Sequence, residues 1–502
     1  MYSQKKLGAF FLYATTILNT FVSIFLTPFI LKILGDSEYG IYRTISAFTG
    51  QLAIISFGIG TITSVYVARY SVEKTIENKK EEENFLFLAI NISILVSVII
   101  LCIGFILYFF IDNIYGKALT TNQIYLMKKL YVLLVINISL YLFRDVFAGI
   151  LNGKEKFIYS NSIKFFRLLI RAIAIIIVLS IGVRSIGLVI IDLLISILII
   201  LCDIIYCFVI LKVKIKFFCF DKLLFKTIFS FSIAIFLQAI VNQVNQNLDS
   251  VILGAMITPE RVTTYSLALT LYISFNSLST AISSLFTPEA SRMVAHKSNS
   301  IELTKFCIKV SRYQLILTAL LTGGFVVVGK QFITLWVGVE KIAIYYIALI
   351  LIIPMSIVNL LSGANSVLDA YMKRMGRSII LLITAIINIV SSIIMIKFID
   401  YWGAALGTAI SVLLGQIIFM SFYYKKVFGF NMKFFFSESI KGILFCALVA
   451  LICTIPLNIC ITNNIVLLIA KGSIYVSIYG YMLVKVGLTN IEKKAIFGKF
   501  KK

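Results

Sequence analysis

The sequence predicts an all-α integral membrane protein of about fourteen transmembrane helices: two six-helix lobes forming a parallel pseudo-repeat, plus two C-terminal helices. Hydropathy, the placement of charge and internal repetition carry this expectation. Of 502 residues, 60% are hydrophobic and 14% charged, with a mean hydropathy of +1.01. Soluble domains are about 25% charged. Five prolines and the lack of any long polar segment leave no room for a soluble catalytic domain.

A hydrocarbon core about 30 Å thick takes about 20 apolar residues per helix. That ruler places spans near 8–34, 40–68, 85–111, 124–151, 162–182, 186–210 and 227–256 in the first part of the chain. It continues with 263–290, 308–336, 343–371, 378–398, 402–423, 440–457 and 464–484. The N-terminal MYSQKKLGAF has no small-residue cleavage site after it, so it reads as the start of an uncleaved span.

Lysine and arginine crowd alternate connections. With the N-terminus inside, inner segments hold Lys5 and Lys6, Arg69 to Lys80, Lys154 to Arg167, Lys212 to Lys226 and Arg292 to Arg312. Lys373 to Arg377, Lys425 to Lys441 and the tail from Lys485 follow the same rule. This bias predicts cytoplasmic N- and C-termini. The net charge of +24 is thereby read as topogenic charge attracted to anionic lipids, not as a nucleic-acid footprint. Eight cysteines without a CxxC pair and one histidine, His296, exclude a Cys/His metal site, and no disulfide framework is expected.

Internal matches recur at nearly one offset. Ile33-Leu34-Gly35 matches Ile252-Leu253-Gly254, residues 149–156 match 366–373, and Arg69 matches Arg292. Six spans per repeat is even, so the halves share orientation, an arrangement found in transporters with a cavity between halves. The lobes are read as 1–222 and 223–424, with 425–502 holding two extra helices and a basic tail.

Polar residues inside spans are the candidate functional groups, since a charge at a helix centre costs roughly 2.5–3.5 kcal/mol or more. The densest stretch is QAIVNQVNQNLD at 238–249, where Gln238, Asn242, Asn245 and Asp249 fall on one helical face. Asn137, Tyr141 and Arg144 make a second such face, and Ser362, Ser366 and Asp369 a third. Arg43, Arg171, Asp192 and Asp203 add charges within spans. Either these stripes line a wet cavity or the amides join helices to one another. Arg43 and Arg171 either enter that cavity or snorkel to headgroups. Arg144 and Asp145 are adjacent, so they diverge by about 100° and should find separate partners. The FGIG cluster at 57–60 reads as close helix packing, and no enzyme motif is present.

The stretch LTPFILKILGDSEYGIY at 26–42 resembles the motif closing the first helix of the polysaccharide-biosynthesis transporters, the Wzx-type flippases. Pro28, Leu34, Gly35, Glu38, Tyr39 and Gly40 carry the match. DSVILG at 249–254, YSLAL at 265–269 and Pro288-Glu289 resemble the same family's seventh and eighth helices. The resemblance implies the multidrug/oligosaccharidyl-lipid/polysaccharide (MOP) exporter fold shared with MATE transporters. It also implies a bacterial cytoplasmic-membrane location and the transfer of undecaprenyl-pyrophosphate-linked oligosaccharide to the outer leaflet. Arg43 and Arg144, with Arg171, would receive the pyrophosphate, and Asn137, Tyr141, Gln238, Asn242, Asn245 and Asp249 the sugars. Asp145, Asp249 and Asp369 are candidates for a coupling proton or sodium ion; no other cofactor is expected. Expected partners are the lipid-linked glycan, anionic lipids, and the polymerase and glycosyltransferases of the same pathway, with no nucleic acid. The competing reading within the superfamily is a drug or cation antiporter.

Overall fold

The computed structural model describes residues 2–56, 58–70, 76–216, 243, 248–371, 374–456, 464–490 and 492–493. Helices and turns account for them, with no strand among the described residues. Lipid offers no hydrogen bonds to the backbone, so a spanning segment must satisfy its own, as a helix does. Among the described residues nine helical stretches are long and apolar enough to cross a membrane, ten if the bent pair Met432–Ile440 and Ile443–Thr454 counts as one. One of the nine, Ala14–Tyr70, covers two of the expected spans. The helix Phe157–Ser180 is not among them because it carries Lys164, Arg167 and Arg171.

The chain packs as two units, Met1–Ser266 and Leu267–Lys502. The first contains α1 (Tyr2–Gly50), α2 (Ile59–Tyr70), α3 (Ile76–Tyr108), α4 (Ile111–Tyr115), α5 (Thr121–Gly153), α6 (Phe157–Ser180) and α7 (Ser185–Ile205). It closes with α8 (248–256) and the start of α9 (Pro259–Ser284).

One end of this unit is organised by the 34–40 motif. Gly35 has φ +74° and ψ 170°, a region nearly reserved for glycine, and there the chain turns from the first span into the second. Glu38 then pairs with Arg184 at 2.7 Å and accepts from the Ser185 N–H at 2.9 Å, stabilising the positive N-terminus of α7. Arg184 also donates to the Leu34 carbonyl. Ser37 accepts from Gln123, whose own backbone-capping bond to Thr120 starts α5.

The second half of α1 runs antiparallel to α8 and the start of α9. Thr263 donates to the Asp36 carbonyl at 2.6 Å, a methyl on Gly40 would overlap the Pro259 backbone, and one on Gly254 would overlap Thr44. Still further along, the Gln243 amide nitrogen lies 3.0 Å from where a Cβ of Gly50 would stand. Residues 248–266 therefore pack with the first six spans. Gly35 and Gly254, equated by the repeat offset, serve different needs: one a backbone angle, the other a close approach.

On α5, Gly149 and Gly153 sit four apart against Gly60, Thr63 and Val67 of α2. A seam of small residues lets backbones approach where lipid supplies no hydrophobic drive. Gly60, the last residue of the FGIG cluster, is thus a close-packing position.

The second unit comprises α10 (Thr287–Ala295), α11 (Ser300–Val337), α12 (Ala343–Leu360), α13 (Ser362–Ala370), α14 (Arg374–Ile399) and α15 (Tyr401–Ser411). A π-helical run, Val412–Phe419, leads into α16 (Met420–Phe428), followed by α17 (Met432–Ile440), α18 (Ile443–Thr454) and α19 (Ile465–Met482). Gly403 and Gly407 form the same small-residue seam, against Met395 to Ser392 of α14. Asn299 and Glu302 cap α11 reciprocally.

The C-terminal helices are clamped to α11 through Arg312, which is 7% exposed. Its guanidinium bonds both Glu492 oxygens at 2.6 and 3.0 Å and the carbonyls of Glu438, Lys441 and Gly487. Burial works against the charge of Glu492, but the bonds from Arg312 and the Thr489 backbone outweigh it and hold its carboxyl below the usual range. Above this clamp the Tyr475 and Tyr479 hydroxyls donate to the Ala319 and Ile316 carbonyls of α11.

Candidate functional site

The first unit concentrates charge where α5, α6 and α7 meet the second half of α1. On α6, Lys164, Arg167 and Arg171 follow at intervals of three and four, a single face of the helix. Arg171 binds Asp192 of α7 with both sides of its guanidinium, Nε at 2.5 Å and Nη2 at 2.9 Å. It also hydrogen-bonds Tyr42, which lies within electrostatic reach of Arg43.

Arg144 and Asp145 take separate partners, as their divergence on the helix requires. Arg144 Nε donates to Asp203 Oδ2 at 2.7 Å, with Arg144 8% and Asp203 0% exposed. Asp145 Oδ2 accepts from the Gly60 N–H at 3.1 Å. That amide belongs to the first turn of α2, which begins at Ile59 beyond the 3-10 turn Gln51–Ser56. The first N–H groups of a helix lack partners within it, and Asp145 supplies one across the bundle. Gly60 permits this: a Cβ there would stand 2.5 Å from the carboxylate.

Three cations remain. Among the described residues, Arg43, Lys164 and Arg167 have no hydrogen-bond or ion-pair partner. Arg43 and Arg167 are half-buried, and Lys164 is exposed. Arg167 lies within electrostatic reach of Tyr141, Arg144, Asp192 and Arg171, and Lys164 of Arg144, Asp145 and Asp203. The patch sets five cations, counting Arg144 and Arg171, against Asp145, Asp192 and Asp203, a surplus of two positive charges. Such a surplus inside a membrane protein needs water or an incoming anion beside it.

Neutral groups surround it. Tyr141 is 43% exposed. Asn137, one turn along the same face of α5, keeps a buried Oδ1 without a partner, and so does the Ser46 hydroxyl one turn from Arg43. Unmet acceptors and donors of this kind suit hydroxyl-rich ligands.

The structure thus gathers Arg43, Asn137, Tyr141, Arg144, Asp145 and Arg171 within one unit. Asp249 is in the same unit but 8% exposed, accepting from the Tyr265 hydroxyl at 2.7 Å. Asp369 belongs to the second unit, 3.8 Å from Arg377. Gln238, Asn242 and Asn245 lie outside the described residues. Sequence reasoning missed Lys164 and Arg167 as site residues by assigning them to inner-side topogenic charge. The 164–167–171 spacing was the signal that could have found them. It also missed the second unit's buried triad, in which Gln314 and Asn359 both donate to the Ser279 hydroxyl.

Membrane-length helices, with charge and unmet polar groups among the described residues, define a polytopic helical membrane protein. Structural comparison agrees on the fold. The chain superposes on lipid II flippase MurJ in an inward-closed conformation with a TM-score of 0.69 and 19% identity, covering 99% of this chain and 100% of that one. It also matches an inward-facing multidrug resistance MATE family transporter of the MOP superfamily, with a TM-score of 0.62 and 12% identity over 82% and 94%. A MOP superfamily transporter from Pyrococcus furiosus, described as having a binding pocket of reversed polarity, matches with a TM-score of 0.52 and 12% identity over 84% and 94%. No curated protein matches the sequence. Residues 7–294 match the polysaccharide biosynthesis protein family, and the chain belongs to that family.

Proposed function

We propose that this protein is a flippase for undecaprenyl-pyrophosphate-linked oligosaccharide repeat units. It would carry them from the inner to the outer leaflet of a bacterial cytoplasmic membrane to build surface polysaccharide such as O-antigen, capsule or exopolysaccharide. The surplus of positive charge at Arg43, Lys164 and Arg167 is the observation that carries the reading.

The polyprenyl tail stays in hydrocarbon throughout, so the barrier lies in moving a hydrated, anionic head group across about 30 Å of oil. Guanidinium groups match phosphate oxygens in pairs. Arg43 and Arg167 would take the pyrophosphate with Lys164 as a point charge beside them. Arg144 and Arg171, held by Asp203 and Asp192, would set the local field. Asn137, Tyr141 and the amide stripe of Gln238, Asn242 and Asn245 would replace the sugar's hydration, and alternating access would expose the site to each side in turn. Asp145, Asp249 and Asp369 remain the candidates for a coupling proton or sodium ion.

A drug or cation antiporter is the rival from the same superfamily. The same charge surplus argues against it, because a cationic substrate would meet repulsion at this patch. The two readings separate in a strain carrying Arg43→Gln/Arg167→Gln in place of the native gene. The flippase reading expects the lipid-linked glycan to accumulate in the inner leaflet and surface polysaccharide to fall, with the melting temperature unchanged because neither arginine has an ion-pair or hydrogen-bond partner among the described residues. Normal polysaccharide in this strain would overturn it, and drug hypersensitivity with normal polysaccharide in the null strain would favour the antiporter.

A further inference from the structure

The second unit contains a cavity of its own. Where the π-helical run Val412–Phe419 hands over to α16, and the 429–431 loop enters α17, there is a cavity of about 710 Å³. That volume falls within the roughly 300–1,000 Å³ usual for ligand pockets. Its walls are chiefly apolar, with Ile417, Ile418, Phe422 and Phe436 among them, and Lys425 and Lys433 are its two cations.

Three features mark it as a built pocket. The wide turn of a π-helix weakens its own hydrogen bonding and is frequently found at functional sites. The buried hydroxyl of Ser421, which lines the cavity, has no hydrogen-bond partner. The loop beneath is fixed at both ends: Gly429 closes α16 in a left-handed conformation with φ +69°, and Asn431 caps α17 by accepting from the Phe434 N–H. The ammonium groups of Lys425 and Lys433 have no ion-pair partner among the described residues. Ile418 is 44% and Phe422 67% exposed, so the apolar wall is open to the surrounding hydrocarbon.

An apolar slot open to lipid, with two unneutralised lysines and an unmet hydroxyl, has the chemistry of an acyl chain joined to an anionic phosphate head. We propose that this cavity binds one anionic phospholipid from the lysine-rich leaflet. The acyl chain lies against Ile417, Ile418, Phe422 and Phe436, and Lys425 and Lys433 hold the phosphate with Ser421 donating to it. Free phosphate would gain nothing from the apolar walls, and a zwitterionic lipid would gain less from the two lysines. Two lysines beside an anionic head are expected to contribute about thirty-fold in affinity.

The test uses the full-length protein in detergent with photo-crosslinkable phosphatidylglycerol, in parallel with the phosphatidylcholine analogue. Mass spectrometry then maps the adducts. The proposal expects phosphatidylglycerol adducts within 417–436, competed by unlabelled phosphatidylglycerol and reduced at least about ten-fold in Lys425→Ala/Lys433→Ala. Lys426→Ala, a neighbour that does not line the cavity, should leave them unchanged. Ser421→Phe fills the slot with both lysines in place and should also remove the adducts while the protein still melts cooperatively. Equal labelling by phosphatidylcholine, or adducts surviving either the lysine pair or Ser421→Phe, would overturn the proposal.

Discussion

Replacing Arg144 by alanine tests whether this residue holds the fold or grips substrate. Arg144 and Asp203 are 8% and 0% exposed and joined at 2.7 Å, with the Tyr159 hydroxyl within electrostatic reach of the carboxylate. Removing the arginine strands a buried carboxylate, which costs about 3–5 kcal/mol when a buried pair loses one member. Lys164 lies within electrostatic reach of Asp203 and moves the expectation toward the lower end, about 3 kcal/mol. At about 2 °C per kcal/mol for a unit of this length, the melting temperature should drop by about 6 °C in a fluorescence melt of purified protein. Asp203→Ala should do much the same by stranding Arg144. The double variant Arg144→Ala/Asp203→Ala should recover most of the loss, since replacing both charges of a buried pair is often near neutral. A single Arg144→Ala that melts like the parent yet exports no polysaccharide would refute this reasoning and assign Arg144 to the substrate.

Two further perturbations test the frame. Gly40→Val would drive a side chain into the Pro259 backbone and should abolish stable expression, whereas Gly480→Ala, with nothing within 4 Å of the added methyl, should leave the fluorescence melt unchanged. The Arg312 clamp should be acid-sensitive. Glu492 ionises below its ordinary value of 4.5, so its stabilisation is fully present above that value and is lost as pH falls through the lower folded value. Melts taken from about pH 6 to pH 3 should therefore lose less stability in Glu492→Gln, which lacks that titration, than in the parent. Equal acid slopes would remove Glu492 from the account.

What the sequence made legible follows the local rules of helices. Hydropathy gave the membrane class, and the separate partners of Arg144 and Asp145 follow from helical geometry. The close packing at Gly60 follows from a residue small enough to admit a neighbour. What stayed hidden is pairing over distance. Nothing local indicates that Arg144 meets Asp203, 59 positions on, or that Arg171 meets Asp192, 21 positions on. Without those pairings every charge in a span looks equally available for substrate. Once Arg144, Arg171 and Asp145 are matched to partners, the cations of that patch left unmatched among the described residues are Arg43, Lys164 and Arg167. Two of these the positive-inside rule had already claimed for topology.

The residues that identify the family do a different job from those that would meet the substrate. Gly35 sets a turn, Glu38 anchors the start of α7, and Gly40 admits the backbone of Pro259. Each is required by the geometry of one end of the first unit, where three connections converge, and none depends on the cargo. Under the proposed function a lipid-linked glycan would be met instead by side chains on helix faces, whose only local requirements are polarity and spacing. Such faces can change with the sugar while the bundle end stays as it is. On that reading the bundle end at 34–40 is required by the fold alone, while a substrate would be sought on the α5 and α6 faces.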